Sequence, residues 1–278
     1  MITELERLEA KDRIAYSQIL EKNRGLFNYS LESRELESLG VNPKNFVARM
    51  KKRGLLESIQ RGRYVTTLSP IKGYLPPRYH PELIPSILLS SLSTPYYISW
   101  HSALSYYNLI ESASNTTFAA VIKEKCSFKS PLGNVRFVCI SSKKFFGYKD
   151  IKIDGYKILM ATPAKAILDS FILPENSGSF SVLISSFKEG YRNGLFDGEE
   201  LVKIALRLEM PSLNRRLGFL MDRYNIAGSD LLLPYLGRSY AVSLNPGSYK
   251  KNEFNFKTNR KWRVVEDELL LDTAENLK

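Results

Sequence analysis

At 278 residues, with 44 % of them hydrophobic, the chain has room for two ordinary domains with real cores and is not disordered in composition. Its two cysteines, Cys126 and Cys139, are too few for a disulfide scaffold and lack the CxxC or Cys/His clustering of a zinc site. The formal net charge of +11 suits a polyanionic partner, because each phosphate that a cation neutralises releases counterions. No apolar run reaches the roughly eighteen residues of a membrane span. The N-terminus MITELERLEAKDR has no apolar signal-peptide core, so a cytoplasmic protein with no membrane segment is expected.

In chain order, Thr3 to Asn23 predicts a scaffold helix with Leu5, Leu8, Ile14, Ile19 and Leu20 at near-helical spacing. Ser30 is placed to cap a second helix over Leu31 to Leu39, with Leu36 and Leu39 inward, and Gly40-Val41 makes the following turn. Asn42 is a good N-cap for a third helix. Pro43 fits its first position, where the missing N–H costs nothing, and Gly54 stops it, giving Pro43 to Arg53. At about 100° per residue, Phe46, Val47 and Met50 share one side. Lys44, Asn45, Ala48, Arg49, Lys51 and Lys52 surround the other.

Leu55 to Gln60 and Tyr64 to Leu68 then read as two strands joined by Arg61-Gly62-Arg63, a hairpin tipped by two arginines. Three helices and a wing are what a winged helix-turn-helix needs. In such a module bidentate side chains read base edges and flanking cations fix the register on phosphate. From Lys44 to Arg63 there are seven basic residues and one acid, so this segment supplies 7 − 1 = +6 of the net charge.

Five prolines between Ser69 and Pro85 break helix and ladder alike and mark a linker. Beyond it, Ile84 to Leu92 reads as a short apolar helix and Ser99 as the cap of Trp100 to Ile110. Thr116 to Ile122, Cys126 to Lys129, Val135 to Ile140, Ile151 to Ile153 and Tyr156 to Met160 read as strands of a small, mostly antiparallel sheet. Thr162-Pro163 opens a helix with Ala166, Ile167 and Phe171 inward. Amphipathic helices follow at Phe180 to Tyr191, Asp197 to Leu208 and Pro211 to Tyr224, with a further one at Leu231 to Tyr235. The tail from Leu244 to Leu271 interleaves Lys250, Lys251, Lys257, Arg260, Lys261 and Arg263 with Tyr249, Phe254, Phe256 and Trp262. Such a pattern stacks bases or forms a lysine-blunted edge strand, and the second is favoured. The expected fold class is α+β. A winged helix-turn-helix over residues 1–70 precedes a proline-rich linker at 71–85 and a larger mixed domain at 86–278.

Catalytic patterns are sparse. No GxxxxGK[ST], GxGxxG or HExxH is present. His101 lies near Ser99 and Ser102, but serines beside a histidine in sequence do not make a triad. Asp150, Asp154 and Lys157 fall around one hairpin, and solvated charge explains them better than a metal-dependent nuclease site. Gly228-Ser229-Asp230 lacks the paired acids of a nucleotidyltransferase site. No catalytic residue, metal site or cofactor is expected, and the alternative is a metal-dependent nuclease or nucleic-acid-modifying enzyme addressed by the winged helix.

Five stretches together resemble the AbiEi-type antitoxin family of type IV toxin-antitoxin systems: FVARMKKRGLLESIQRGRYV, SWHSALSYYNLIE, ATPAKAILDSFILPENSG, RRLGFLMDRYNI and a closing KWRVVEDELL. The resemblance implies a negative autoregulator whose winged helix binds an inverted-repeat operator in double-stranded DNA. It also implies a C-terminal domain that counters a nucleotidyltransferase-like toxin. DNA contacts carried over on matching positions are Lys44, Asn45, Arg49, Lys52, Arg53, Arg61, Arg63 and Tyr64, with Asn45 and Arg49 nearest the bases.

Overall fold

The computed structural model describes residues 7–23, 26–66, 95–111, 114–125, 127–130, 133–153, 156–238, 240–246 and 257–277. The linker expected at 71–85, the helix expected at Ile84–Leu92, Asp154 and the tail residues Tyr249 to Phe256 lie outside them. The fold is α+β, and the chain divides into two compact units. One is Met1–Leu92 with Phe128–Asn134, and the other is Ser93–Ser127 with Val135–Lys278. No described helix is long and apolar enough to cross a membrane.

The first unit runs α1 (Ala10–Asn23), β1 (Leu26–Asn28), α2 (Tyr29–Ser38), α3 (Pro43–Lys52), β2 (Leu56–Gln60) and β3 (Arg63–Thr66), with sheet order β1-β3-β2. That order of elements and strands is the winged-helix topology. Its core joins Tyr16 and Ile19 of α1, Leu36 of α2, Val41, and Phe46, Val47 and Met50 of α3 to Leu55 and Leu56. Burying each large side chain stabilises the unit by about 1.5–3 kcal/mol. The Tyr16 hydroxyl donates to the Leu55 carbonyl at 3.1 Å, tying α1 to the turn after α3.

The helices of this unit depart from expectation in two places. The buried stripe of α1 is Asp12, Ala15, Tyr16 and Ile19, at helical spacing, while Ile14 is exposed. The helix before α3 starts at Tyr29 rather than Leu31, directly after β1, a strand that the sequence reading did not foresee. Three residues are too few to show a period.

In the second unit the strands β4 (Tyr96–Ile98), β5 (Thr116–Val121), β7 (Gly133–Cys139), β8 (Tyr148–Ile153) and β9 (Tyr156–Ala161) lie in the order β7-β5-β4-β9-β8, while β6 (Phe128–Ser130) groups with the first unit. The central β4 is another unforeseen strand. It is wholly buried, antiparallel to β5 and parallel to β9. Helices α4 (Trp100–Tyr106), α5 (Pro163–Ile172), α6 (Phe180–Arg192), α7 (Gly198–Leu208) and α8 (Pro211–Arg223) follow, and α9 (Glu268–Asn276) closes the chain where no helix was expected. Capping accounts for several starts. The Thr162 side chain accepts from Lys165 N–H, Ser179 from Val182, Asp197 from Glu200 and Asp267 from Leu270.

Helix α5 is buried from Pro163 to Phe171 and carries an ion pair inside the core. The Lys165 ammonium contacts Asp169 one turn on and donates to the Tyr97 hydroxyl at 3.0 Å. The second Asp169 oxygen accepts from Ser99 at 2.8 Å and from Tyr97 at 3.1 Å. Ser99 therefore spends its hydroxyl here and does not cap α4 as expected. Burial lowers the Lys165 pKa against the pull of Asp169, and burial together with the Asp169 charge raises that of Tyr97. Elsewhere in the unit Gly218 of α8 lies under Trp262, whose ring would stand 2.2 Å from a β-carbon there.

Removing one partner of a buried pair strands the other charge. Asp169→Ala is expected to cost about 3–5 kcal/mol. Both tryptophans, Trp100 and Trp262, are buried in the second unit, so urea unfolding followed by tryptophan fluorescence measures the loss directly.

Candidate nucleic-acid interface

Helix α3 is built so that its apolar side must face inward. The Asn42 side chain accepts from the Asn45 N–H at 3.1 Å and Pro43 occupies the first turn. Phe46, Val47, Met50 and Pro43 are buried. Lys44, Asn45, Ala48, Lys51, Lys52 and Arg53 are exposed in consequence. Asn45, Ala48 and Lys52 lie along the middle of the outward face, with Arg49 on one flank and Lys51 on the other. The Lys51 ammonium stands 6.0 Å from the centre of the Tyr64 ring, on the hairpin flank. Arg53 follows α3 as its C-cap rather than lying within it, and donates to the Arg7 carbonyl at 3.2 Å.

The hairpin corrects one expectation. Gln60 pairs with Arg63, so the turn is Arg61-Gly62 alone, with Gly62 at φ +78°. Arg63 belongs to β3, the central strand, which pairs with β1 on one side and β2 on the other. It is buried, and desolvation lowers its pKa. Only Arg61 stands exposed at the tip, so a wing tipped by two arginines reduces to one.

Arg49, expected with Asn45 to stand nearest the bases, makes a tertiary ion pair. Its Nε donates to Asp12 Oδ2 at 2.7 Å and its Nη2 to Asp12 Oδ1 at 2.6 Å, a bidentate pair from α3 to α1. That hydrogen bonding raises the Arg49 pKa. Lys44, Asn45 and Lys52 thus share the outward face of α3, Arg61 stands exposed at the hairpin tip, Tyr64 is half-buried beside Lys51, and Arg63 leaves the set. Lys51 joins it, since its position on the wheel was cationic and outward from the start. Asp12 was not foreseen, because an acid at a buried helical position more than thirty residues from its partner leaves no local signal.

The other acids and bases singled out in the sequence, so far as they are among the described residues, are placed as follows. Asp150 and Lys157 pair at 3.1 Å in solvent. His101 is half-buried, which lowers its pKa. Trp262 is core and donates to Asp222, so it is not available for stacking. Among the described residues, no group of three His, Cys, Asp or Glu side chains could hold a metal ion.

No protein-family model matches the chain, and no curated protein matches it in sequence. Among solved structures it is similar to the RV2827C protein from Mycobacterium tuberculosis, with a TM-score of 0.72 at 12 % identity over 97 % of this chain and 94 % of that one. At that identity the likeness is one of fold alone.

The different surroundings of the two hairpin arginines are separable by stability. Arg61→Ala should stay within about 0.5 kcal/mol of the parent in a thermal melt followed by circular dichroism. Arg63→Ala should lose about 1–3 kcal/mol through lost packing and unpaired neighbours.

Proposed function

We propose that the first unit binds double-stranded DNA, with α3 in the major groove and the β2–β3 hairpin over the adjacent backbone. The observation that carries this reading is the exposed face of α3, where Lys44, Asn45, Lys51 and Lys52 stand around a small Ala48, with Arg61 at the hairpin tip. A short amide beside a small residue lets a helix approach base edges, and cations around it hold phosphate. The winged-helix order of elements supports the same docking.

On this reading the chain is a sequence-specific transcriptional regulator of the cytoplasm rather than an enzyme. The five stretches that resemble AbiEi-type antitoxins support an autorepressor of a type IV toxin-antitoxin operon, acting on an inverted-repeat operator. The second unit would then carry the work against a nucleotidyltransferase-like toxin. Its buried Lys165–Asp169 pair belongs to the core and not to that work.

Fluorescence anisotropy with a labelled duplex over a range of salt tests the binding. Lys44→Ala, Lys52→Ala and Arg61→Ala should each weaken binding to all sequences and reduce the slope of log affinity against log salt by about one. Absence of salt-sensitive duplex binding by the parent protein would contradict the reading. Incubation with supercoiled plasmid and magnesium or manganese tests the enzymatic alternative, and cleavage would favour it.

A further inference from the structure

The Asp12–Arg49 pair has an asymmetry that a simple brace between helices does not require. The Asp12 side chain is 5 % exposed and that of Arg49 43 % exposed. A guanidinium carries five N–H donors in a planar fork and offers two edges able to grip a pair of acceptors. Asp12 takes one edge, Nε with Nη2, in full. The other edge, Nη1 with the second N–H of Nη2, has no partner among the described residues. Arg49 sits on the α1 flank of the outward face, beside Asn45 and Lys52.

We infer that Asp12 is a positioning residue that locks the Arg49 fork so that its free edge reads a guanine through O6 and N7. The inference rests on the reading of α3 as the DNA-facing helix. Two acceptors side by side on a guanine match that edge, and arginine to O6 and N7 is the commonest specific contact in the major groove. A long, free arginine must lose its rotamer freedom when it docks, whereas one already held by a carboxylate has lost it on folding. Asp12 cannot act by attracting DNA, because its charge has the wrong sign. Its contribution is to specificity, and it is set against a small loss of attraction to any phosphate.

Opposite effects on specific and non-specific binding therefore separate this role from a structural one. The parent protein is used to enrich a duplex from a randomised pool. Its affinity for that duplex is compared with its affinity for a scrambled duplex of the same composition. Asp12→Asn should reduce the ratio of the two affinities by about tenfold, with the scrambled duplex bound as well as before or more tightly. Arg49→Lys keeps the charge and a single contact to Asp12 but has no second edge, so it should lose the same preference with an unchanged salt slope. Replacing the guanine that matters with 7-deazaguanine, which lacks N7, should weaken the parent and leave Arg49→Ala unaffected.

An unchanged ratio in Asp12→Asn and Arg49→Lys overturns the inference. So does an equal loss on both duplexes in folded variants, which makes the pair a brace only. Failure of the parent to bind any duplex sinks the DNA reading itself, and with it this inference. Binding without any enriched sequence leaves the DNA reading standing and overturns the positioning role alone.

Discussion

Everything the first unit offers to a partner follows from the burial of Phe46, Val47 and Met50. These three side chains fix the rotation of α3 about its axis, and a rotation of half a turn would put lysines in the core at a prohibitive desolvation cost. Once they are seated against Tyr16, Leu36 and Leu55, the cations have no freedom of choice. Lys44, Lys51 and Lys52 must point out. The two flanks are then held by different chemistry. Asp12 grips Arg49 on the α1 side, and the Tyr64 ring receives Lys51 on the hairpin side. The face between them is small at Ala48 and polar at Asn45.

The second unit depends on the reverse arrangement, with charge inside and paired. Lys165 and Asp169 lie one turn apart on a helix that is apolar almost throughout, Tyr97 and Ser99 hydrogen-bond to the pair, and the Trp100 indole donates to the Asp169 backbone carbonyl. Tyr97 comes from the central strand, so the network ties strand to helix at the middle of the sheet. A second buried cation, Arg215, works in the same way. It donates to the Leu236 carbonyl at 2.9 Å and also to those of Gly237 and Tyr240, which fastens the segment after the short helical turn at Ser229–Tyr235. Such pairs add little net stability compared with apolar packing, and what they supply is a single arrangement of the chain around them.

The parts of this structure that were legible in the sequence are those with a local cause. Asn42-Pro43 and Gly54 bounded α3 to within a residue, and Thr162-Pro163 and Asp197 marked two more helix starts, because a cap is a contact between near neighbours. The α+β class followed from the change of period along the chain. What was not legible has a cause elsewhere in the molecule. β1 and β4 are three residues each and exist because β3, β5 and β9 offer them edges. Arg63 reads as a wing-tip cation until β1 pairs with β3 and encloses it. Asp12 looks like another surface acid of a charged helix, and only the tertiary contact shows that it holds Arg49. At the interface, the outward face was therefore predictable from periodicity, whereas the state of its arginines was not.

The claim on which the functional account stands is that DNA meets α3 and the hairpin tip rather than any other surface. Amide hydrogen exchange with and without a saturating random-sequence duplex measures this directly in the full chain. Protection confined to Lys44–Lys52 and the Arg61-Gly62 turn is the predicted result. Protection confined to the second unit, or none anywhere in α3, would contradict it.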